Sequence, residues 1–335
     1  MAKVAINGMG RIGRAALKII QDTPELDLIA VNDLMALDNL VYLLRYDTVY
    51  GRYDKPVSAG HGVLHVGDRE IKFLSEKDPT QLPWQAMNID FVFECTGVFT
   101  SQEGLEKHIT AGAKNVILSA PVKGGGDVPM VVHCVNTPEG ECRIISSASC
   151  TTNCIAPVME IFDRHIGIKK ALMTTIHAYT SSQAIVDGPA KKVRRGRAGA
   201  ANFVPTSTGA AKATAVALPQ LKGKFDGLAV RGPVPVGSLV DIVLLAARAT
   251  TVEEINRIFK EESEGPRYKG VLGYAEDEIV SSDVIGDSRA SIFDPTGTIV
   301  VDGDLVKILS WYDNEWGYTN QMIREAVRIA KSCGM

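Results

Sequence analysis

The glycine-rich segment NGMGRIG constrains the fold of this chain more than any other segment. Gly8, Gly10 and Gly13 have the spacing G-x-G-x-x-G, after an apolar strand-like run at 3–7 and before a helix-like run at 11–20. Glycines here permit a tight turn and close backbone approach, and the helix start offers unpaired N–H groups to a pyrophosphate. The pattern predicts a strand–turn–helix unit that binds a dinucleotide, with a purely structural turn as the alternative.

An acidic residue at a suitable distance favours the dinucleotide interpretation. Asp33 comes 20 residues after Gly13 and ends a second apolar strand, predicted at 26–33. A carboxylate at this point can accept hydrogen bonds from ribose hydroxyls. A capping aspartate would need no ligand, but strand, turn and helix occur here in the order that the dinucleotide fingerprint requires.

Short apolar strands alternate with helices through the first half of the chain. Further strands are predicted at 89–97 and 114–120, a hairpin at 62–74, and helices at 38–46 and 102–112. Near-continuous apolar strands separated by helices predict a parallel sheet covered on both faces. We therefore expect an α/β chain whose residues 1–149 form a Rossmann-type, doubly wound dinucleotide-binding domain.

Longer and more consecutive strands follow residue 150. They are predicted at 169–179, 225–235, 238–248 and 305–313. This pattern predicts an α+β catalytic domain over 150–314, with a mostly antiparallel sheet and helices on one face. A long polar loop at 180–202 is typical of a functional or interface segment. A final helix at 315–335 is expected to pack back on the first domain.

Composition excludes several classes of protein. A length of 335 residues suggests two domains, and 45% hydrophobic with 22% charged residues is typical of a soluble globular chain. A net charge of −3 argues against a surface built for nucleic acid. The longest apolar stretch, 239–247, is too short to cross a membrane and contains Asp241. Because the N-terminus runs directly into a predicted strand, we expect no signal peptide, and we expect a cytoplasmic protein with reduced thiols and no membrane partner.

Two of the six cysteines lie four residues apart in SASCTTNC, residues 147–154. The chain has no C-x-x-C and no second ligand cluster, so neither a metal site nor a disulfide framework is predicted. Cys150 opens a predicted helix with Ser149 as N-cap, and the positive end of the helix dipole favours a thiolate. We predict Cys150 as a nucleophile rather than an inert packing residue, and Cys154 as buried packing.

A nucleophilic thiol needs a base, and His177 is the candidate. It lies in the strand TTIHAY and is followed at once by the polar run TSSQ. A histidine on a strand is often only a half-buried structural residue, and that interpretation is kept for the other five histidines. The polar run beside His177 favours a catalytic role instead.

The segments NGMGRIGR, SASCTTNCIAP, TTIHAYT, TSTGAAKA and SWYDNEWGY resemble the phosphorylating glyceraldehyde-3-phosphate dehydrogenases. The resemblance runs from end to end. It implies a first domain that binds NAD, a second domain that supplies catalysis and tetramer contacts, and a homotetramer. It also implies Cys150 as nucleophile and His177 as the base that activates it.

The resemblance extends to the binding residues one by one. It implies that Thr180 and Arg231 bind the phosphate of the substrate. Inorganic phosphate is implied to bind at Ser149, Thr151, Thr208 and Gly209. The implied cofactor-binding residues are Gly8, Gly10, Arg11, Ile12, Gly13, Asp33, Lys77, Ser119 and Asn314, of which the last holds the nicotinamide amide. From the residues alone, Arg231 is equally a surface ion pair and Asn314 equally a helix cap.

The reaction that the resemblance implies is oxidation of glyceraldehyde 3-phosphate to 1,3-bisphosphoglycerate, and its reverse, through a thiohemiacetal and a thioester of Cys150. The small-molecule substrate and inorganic phosphate are the partners, in glycolysis or gluconeogenesis. A related thiol-dependent enzyme, such as an erythrose-4-phosphate dehydrogenase, is the alternative. Thr180 with Arg231 disfavours an amino-acid semialdehyde as substrate.

Three positions depart from the family pattern. Met9 replaces a more usual aromatic residue, and Ser182 stands where many relatives have an acidic residue near the substrate phosphate. Gly188 occupies a position where NAD-preferring members usually have leucine, which leaves room for weak use of NADP. Asp33 would repel the 2′-phosphate of NADP, so NAD is the expected cofactor.

The basic run KKVRRGR, 191–197, raises one alternative of another class, an RNA-binding module. It has no interleaved aromatic residues and no RNA-binding fold signature. A solvated or intersubunit loop accounts for it better.

Overall fold

The computed structural model describes residues 1–124, 126–138, 140 and 142–334. The chain divides into two compact units. The first comprises the described residues of 1–133, 138–148 and 322–335, and the second comprises 134–137 and 149–321. Each unit has its own sheet and core, and each is described by itself.

The first unit is built on an eight-stranded sheet. Its strands are β1 (Ala2–Asn7), β2 (Leu26–Asn32), β5 (Val57–Gly60), β6 (Val63–Val66), β7 (Arg69–Leu74), β8 (Phe91–Glu94), β9 (Asn115–Leu118) and β10 (Ile144–Ser146). A small separate hairpin is formed by β3 (Tyr46–Asp47) and β4 (Gly51–Arg52). The order is β10-β9-β8-β1-β2-β7-β6-β5, parallel from β10 to β7 and antiparallel from β7 to β5. The predicted Rossmann-type parallel sheet is confirmed, and the predicted hairpin extends it as an antiparallel edge.

Three helices belong wholly to this unit. They are α1 (Arg11–Gln21), α2 (Leu37–Arg45) and α3 (Gln102–Thr110). Helix α1 buries Ala16, Leu17 and Ile20, because these residues recur on one face at the helical period. Ser101 caps α3 by accepting a hydrogen bond from the N–H of Gly104 at 3.2 Å.

The second unit contains a seven-stranded sheet. Its strands are β11 (Ile168–Ala178), β12 (Val204–Ser207), β13 (Phe225–Gly232), β14 (Ser238–Ala246), β15 (Leu272–Tyr274), β16 (Ser291–Val301) and β17 (Leu305–Tyr312), in the order β12-β13-β11-β14-β17-β16-β15. Only β13-β11 and β16-β15 are parallel pairs, so the predicted mostly antiparallel sheet is confirmed.

Sequence reasoning missed β12, β15 and β16. The long strand β16 was hidden because Asp294-Pro295 and Gly297 interrupt its apolar pattern, and its register with β17 shifts between Asp294 and Ile299. Such a bulge lets a proline occur in a strand without removing a ladder hydrogen bond.

The remaining helices are α4 (Cys150–His165), α5 (Ala210–Ala217), α6 (Val252–Glu264) and α7 (Trp316–Ser332). The final helix was predicted at 315–335; residue 335 lies outside the described residues.

Phe162 and Phe259 pack with inward residues of the sheet such as Phe293, whose ring centre is 4.0 Å from that of Phe259. Alternate residues such as Leu172 and Val243 are exposed, so helices cover one face of this sheet and leave the other open.

Three further observations concern the part of the chain that the structure describes. No helix there is long and apolar enough to cross a membrane. No group of three histidine, cysteine or acidic side chains there could hold a metal ion. No disulfide joins any of the six cysteines in that part of the chain.

Candidate active site

Helix α4 begins at Cys150 and its start is capped. Ser149 has an extended backbone, and its Oγ accepts a hydrogen bond from the N–H of Thr152 at 3.2 Å, so the predicted cap is confirmed. The Sγ of Cys150 lies 3.3 Å from Nε2 of His177. A thiol at a helix N-terminus with an imidazole in hydrogen-bond contact is the arrangement that an activated cysteine requires.

The pairing of β11 with β13 places Arg231 beside His177. The two strands run parallel with these two residues in register. Arg231 Nη1 lies 2.6 Å from His177 Nδ1 and donates to the carbonyl oxygen of Ala178 at 2.7 Å. Arg231 makes no ion pair with any carboxylate among the described residues. The alternative of a surface ion pair is therefore wrong.

Burial controls the protonation of this pair. It raises the pKa of the Cys150 thiol, against the opposing effects of the Arg231 guanidinium and the hydrogen bonds of Thr151. Burial, and then Arg231, lower the pKa of His177 to about 3. Burial thus works against the thiolate that the helix start favours, because withdrawal from water penalises the charged sulfur. The site holds a neutral thiol beside a neutral imidazole.

Cys154 occupies the buried position predicted for it. It has no exposed surface, and its Sγ contacts Ser291 Oγ at 3.4 Å and the carbonyl oxygen of Ser310 at 3.9 Å. Burial raises its pKa to about 12. A thiol in this state is inert, so the two cysteines of the motif differ in what surrounds them.

A chain of hydroxyl groups and one guanidinium lies in the loop after His177. Thr180 Oγ1 is 2.8 Å from Ser182 Oγ, and Arg195 donates to Ser182 at 3.5 Å and to Thr206 Oγ1 at 3.1 Å. Sequence reasoning missed Arg195. The basic run 191–197 was its signal, but nothing in that run distinguishes this arginine from its neighbours.

The four residues matched to the inorganic phosphate site lie at the starts of two helices. Ser149 and Thr151 open α4, and the Thr151 hydroxyl is already in a 2.9 Å hydrogen bond with the hydroxyl of Tyr312. Thr208 Oγ1 accepts from the first N–H of α5 at 3.2 Å, and Gly209 is the N-cap of that helix. A Cβ at Gly209 would meet no atom within 4 Å, so this N-terminus is sterically open.

Asn314 is buried and linked to the base. Its Oδ1 accepts from the N–H of Gly237 at 3.2 Å and from Ser238 Oγ at 2.9 Å. Ser238 Oγ in turn accepts from the N–H of Ala178 at 3.1 Å. The capping alternative is wrong, because Asp313 accepts from the N–H groups at the start of α7.

The glycine turn of the first unit opens on a cavity of about 720 Å³. Gly8 has φ +96°, and a Cβ there would lie 2.6 Å from the backbone N of Thr96. A Cβ on Gly13 would lie 1.9 Å from the carbonyl oxygen of Gly8. A Cβ on Gly10 would meet no atom within 4 Å, and α1 starts without a side-chain cap. The open N–H groups beside an open glycine fit an approaching pyrophosphate.

Asp33 and Lys77 line the same cavity. The carboxylate of Asp33 accepts from the N–H of Met9 at 2.6 Å and from that of Met35 at 2.9 Å, one on each oxygen. Each oxygen keeps a lone pair, because an ionised carboxylate has about four acceptor sites. Asp33 is thus held in place with capacity left for ribose hydroxyls, which fits a dinucleotide.

Besides Gly13, three other matched residues of the first unit do not line this cavity. Arg11 pairs with Asp47 at 2.5 Å, and Ile12 is half-buried on α1. Ser119 follows β9, and its N–H donates to the carbonyl oxygen of Glu94 at 3.0 Å. For these residues the structure shows local packing and ion-pair roles.

The first unit and the cysteine–histidine pair together define a class, the nicotinamide-dependent dehydrogenases that carry a thiol. Two family models match the chain. The NAD binding domain of glyceraldehyde 3-phosphate dehydrogenase matches residues 2–102, and the C-terminal domain of the same enzyme matches residues 149–314. The chain belongs to the glyceraldehyde-3-phosphate dehydrogenase family, and NAD is its cofactor.

Relatives named glyceraldehyde-3-phosphate dehydrogenase match nearly the whole chain. The protein of Streptomyces coelicolor is 47% identical over 325 residues, which is 96% of each chain. That of Clostridium pasteurianum is 48% identical over 338 aligned residues, 99% of each chain. That of Borreliella burgdorferi is 46% identical over 337, covering 98% of this chain and all of the relative.

The glycine turn generates a paired prediction. Gly13→Ala should lower the free energy of unfolding by roughly 1–3 kcal/mol, because the new methyl group overlaps the Gly8 carbonyl oxygen. Gly10→Ala should change the free energy of unfolding by less than about 0.5 kcal/mol, since the Gly10 φ of −68° suits alanine and a Cβ there would meet no atom within 4 Å. It should nevertheless weaken NAD binding. Urea unfolding and NAD titration measure the two effects, and equal stability losses in both variants would contradict the assignment.

The thiol environments predict the order of alkylation. At pH 8 a thiol with a pKa of about 12 is ionised in only about one molecule in ten thousand. Cys150 has His177 in contact to take its proton as it reacts, and Cys333 is exposed, so iodoacetamide should label these two well before Cys154 or Cys95, whose pKa values burial raises to about 12. Peptide mass spectrometry over time measures the order. Labelling of Cys154 ahead of Cys150 would show that the two environments are assigned wrongly.

Proposed function

We propose that this protein oxidises glyceraldehyde 3-phosphate to 1,3-bisphosphoglycerate with NAD and inorganic phosphate, and catalyses the reverse reaction, in glycolysis or gluconeogenesis. The observation that carries the proposal is the 3.3 Å contact between Cys150 Sγ and His177 Nε2 at the start of α4. Family membership adds the NAD-binding unit and relatives of the same name.

In the first half-reaction, the neutral imidazole of His177 takes the thiol proton as Cys150 Sγ attacks the aldehyde carbon. A carbon–sulfur bond forms and the carbonyl oxygen becomes negatively charged. The backbone N–H of Cys150 and the protonated imidazole stabilise that charge. Bound NAD supplies the hydride acceptor, so the carbon is oxidised to a thioester. The neutral state of His177 is what this first proton transfer requires.

In the second half-reaction, inorganic phosphate attacks the thioester and releases an acyl phosphate and the Cys150 thiolate. We assign the attacking phosphate to Ser149, Thr151, Thr208 and Gly209, at the starts of α4 and α5. Helix N-termini favour anions. The substrate's own phosphate is assigned to Thr180 and Arg231, and Arg195 adds a second guanidinium in the same loop cluster.

The cofactor-binding assignment follows from the cavity of the first unit. Gly8, Gly10 and Gly13 shape the turn, and Asp33 and Lys77 line the cavity. Arg11, Ile12 and Ser119 are assigned by family match. Asn314 is assigned to the nicotinamide amide, and its tie through Ser238 to the strand of His177 supports this role.

We further propose a homotetramer with a dinucleotide-binding domain at 1–149, a catalytic and assembly domain at 150–314, and a final helix that belongs with the first domain. The open face of the second sheet exposes apolar residues such as Leu172 and Val243. The loop after β11 exposes Ile185 and Phe203 by 89% and 73%. Apolar patches of this kind mark contact surfaces. The absence of disulfide bonds among the described residues supports a cytoplasmic location.

The proposal is tested by the absorbance of reduced cofactor with glyceraldehyde 3-phosphate, with and without phosphate. Activity should depend on phosphate or arsenate. Cys150→Ser should lower the rate by at least about a thousandfold, since a hydroxyl is a poor nucleophile without activation. The matched control Cys154→Ser should keep substantial activity. Activity without phosphate dependence, or a preference for erythrose 4-phosphate, would favour the alternative enzyme.

The cofactor cavity predicts a clear preference for NAD with weak use of NADP. Asp33 is fixed by two backbone N–H groups, and a like charge nearby costs on the order of 1 kcal/mol or more. Gly188 does not line this cavity, and its relevance is the family match alone: a glycine where NAD-preferring members have leucine removes bulk but supplies no charge to attract a 2′-phosphate. Asp33→Ala should narrow the preference for NAD by raising kcat/KM with NADP. Gly188→Leu should widen the preference. The ratio of kcat/KM values for the two cofactors measures this, and a wild-type ratio at or below one would overturn the charge argument.

A further inference from the structure

A buried polar cluster lies beneath the glycine turn of the first unit. Glu94, the last residue of β8, and His108 on α3 both have side chains with no exposed surface. Trp84 is equally buried and contacts His108. None of the three is among the matched site residues. Buried polar groups are costly unless they are satisfied, so the contacts of this cluster show what it holds.

The tautomer of His108 follows from its two neighbours. Trp84 Nε1 lies 3.1 Å from His108 Nδ1, and an indole N–H can only donate. Nδ1 is therefore the acceptor and the ring proton is on Nε2. That proton is donated to Glu94 Oε2, 3.0 Å away. Trp84 thus holds the His108 ring with Nε2 turned towards the carboxylate.

Glu94 receives a complete set of donors. Oε2 accepts from Asn7 Nδ2 at 2.6 Å as well as from His108. Oε1 accepts from the N–H of Thr96 at 2.8 Å and from its hydroxyl at 2.5 Å. If the Glu94 carboxyl carried a proton, its O–H would face one of these donor groups, and that hydrogen bond could not form. Glu94 is therefore a buried carboxylate whose four acceptor positions are all occupied.

The residues that Glu94 holds line the dinucleotide cavity on two sides. Thr96 lines the cavity, and its backbone N packs closely against Gly8. Asn7 also lines the cavity, and its Oδ1 accepts from Asn32 Nδ2 at 2.7 Å. Asn32 makes two hydrogen bonds with the backbone of Glu76. Its Oδ1 accepts from the Glu76 N–H at 2.8 Å, and its Nδ2 donates to the Glu76 carbonyl oxygen at 2.9 Å.

This chain of bonds crosses the ends of β8, β1 and β2. These are neighbouring parallel strands, and ligands of such sheets bind at the carboxyl ends of the strands. A wall fixed before the ligand arrives lowers the entropy lost on binding.

We propose that Glu94, oriented by His108 and Trp84, is a positioning residue that holds the cavity walls in the shape that binds the dinucleotide. The inference deepens the proposed function, since it rests on NAD as the ligand of this cavity. Glu94 acts through Asn7 and Thr96 and does not itself line the cavity.

The test measures the Kd for NAD in the ligand-free, full-length protein by titration calorimetry. Glu94→Gln should weaken NAD binding by at least about tenfold, because its amide presents a donor where Asn7, His108 and Thr96 also donate. His108→Leu should weaken it similarly. His108→Gln restores an N–H towards Glu94 and should lie within about threefold of wild type. Glu106→Gln, an exposed glutamate on the same helix, is the matched control and should bind as wild type.

A second readout separates positioning from general damage. The rate of Cys150 alkylation without NAD should change less than about twofold in every variant, and circular dichroism should be unchanged. Glu94→Gln with wild-type affinity would overturn the proposal, as would equal losses in His108→Leu and His108→Gln, or a parallel loss of thiol reactivity. If His108→Leu does not fold, Glu94→Gln and His108→Gln still decide the matter. Failure of the proposed function is distinct, since wild type itself would then lack phosphate-dependent activity.

Discussion

A buried hydroxyl joins the helix start that carries Cys150 to the strand that carries His177, within the core on which both elements pack. The hydroxyl of Tyr312 hydrogen-bonds Thr151 on α4 and Thr175 on β11, both at 2.9 Å. Its ring also meets the imidazole of His177 edge-on, with centroids 5.9 Å apart. The helix dipole, the thiol and the base keep a common geometry because β17 places this tyrosine between their two elements.

Burial has two opposite consequences in this site. It raises the pKa of the Cys150 thiol and lowers that of His177, so the resting pair is uncharged. An uncharged pair costs little to keep out of water, and the imidazole is free to accept a proton when the sulfur attacks. The same burial, without a base in contact, leaves Cys154 inert. Reactivity here comes from a neighbour rather than from the cysteine motif.

Much of the fold could be predicted from the sequence because its signals are local. The G-x-G-x-x-G spacing and Asp33 define a strand–turn–helix unit, and the structure adds the steric reason in the overlap that a side chain at Gly13 would cause. Long, consecutive apolar strands indicated the antiparallel sheet, whose outward residues include the exposed Leu172. Strand β16 escaped prediction because a bulge at Asp294 breaks the alternation on which such predictions rest.

The sequence by itself determined which residues could act: a capped cysteine at a helix start, a histidine on a polar-flanked strand, and glycines in a turn. Only the tertiary structure decided their neighbours. Strand register set Arg231 beside His177, and the packing of α3 set His108 against Glu94. The register of distant segments depends on the summed packing of whole sheets, so no local pattern records it. The charge states of Cys150 and His177 followed from the same contacts, because burial is a property of the assembled core.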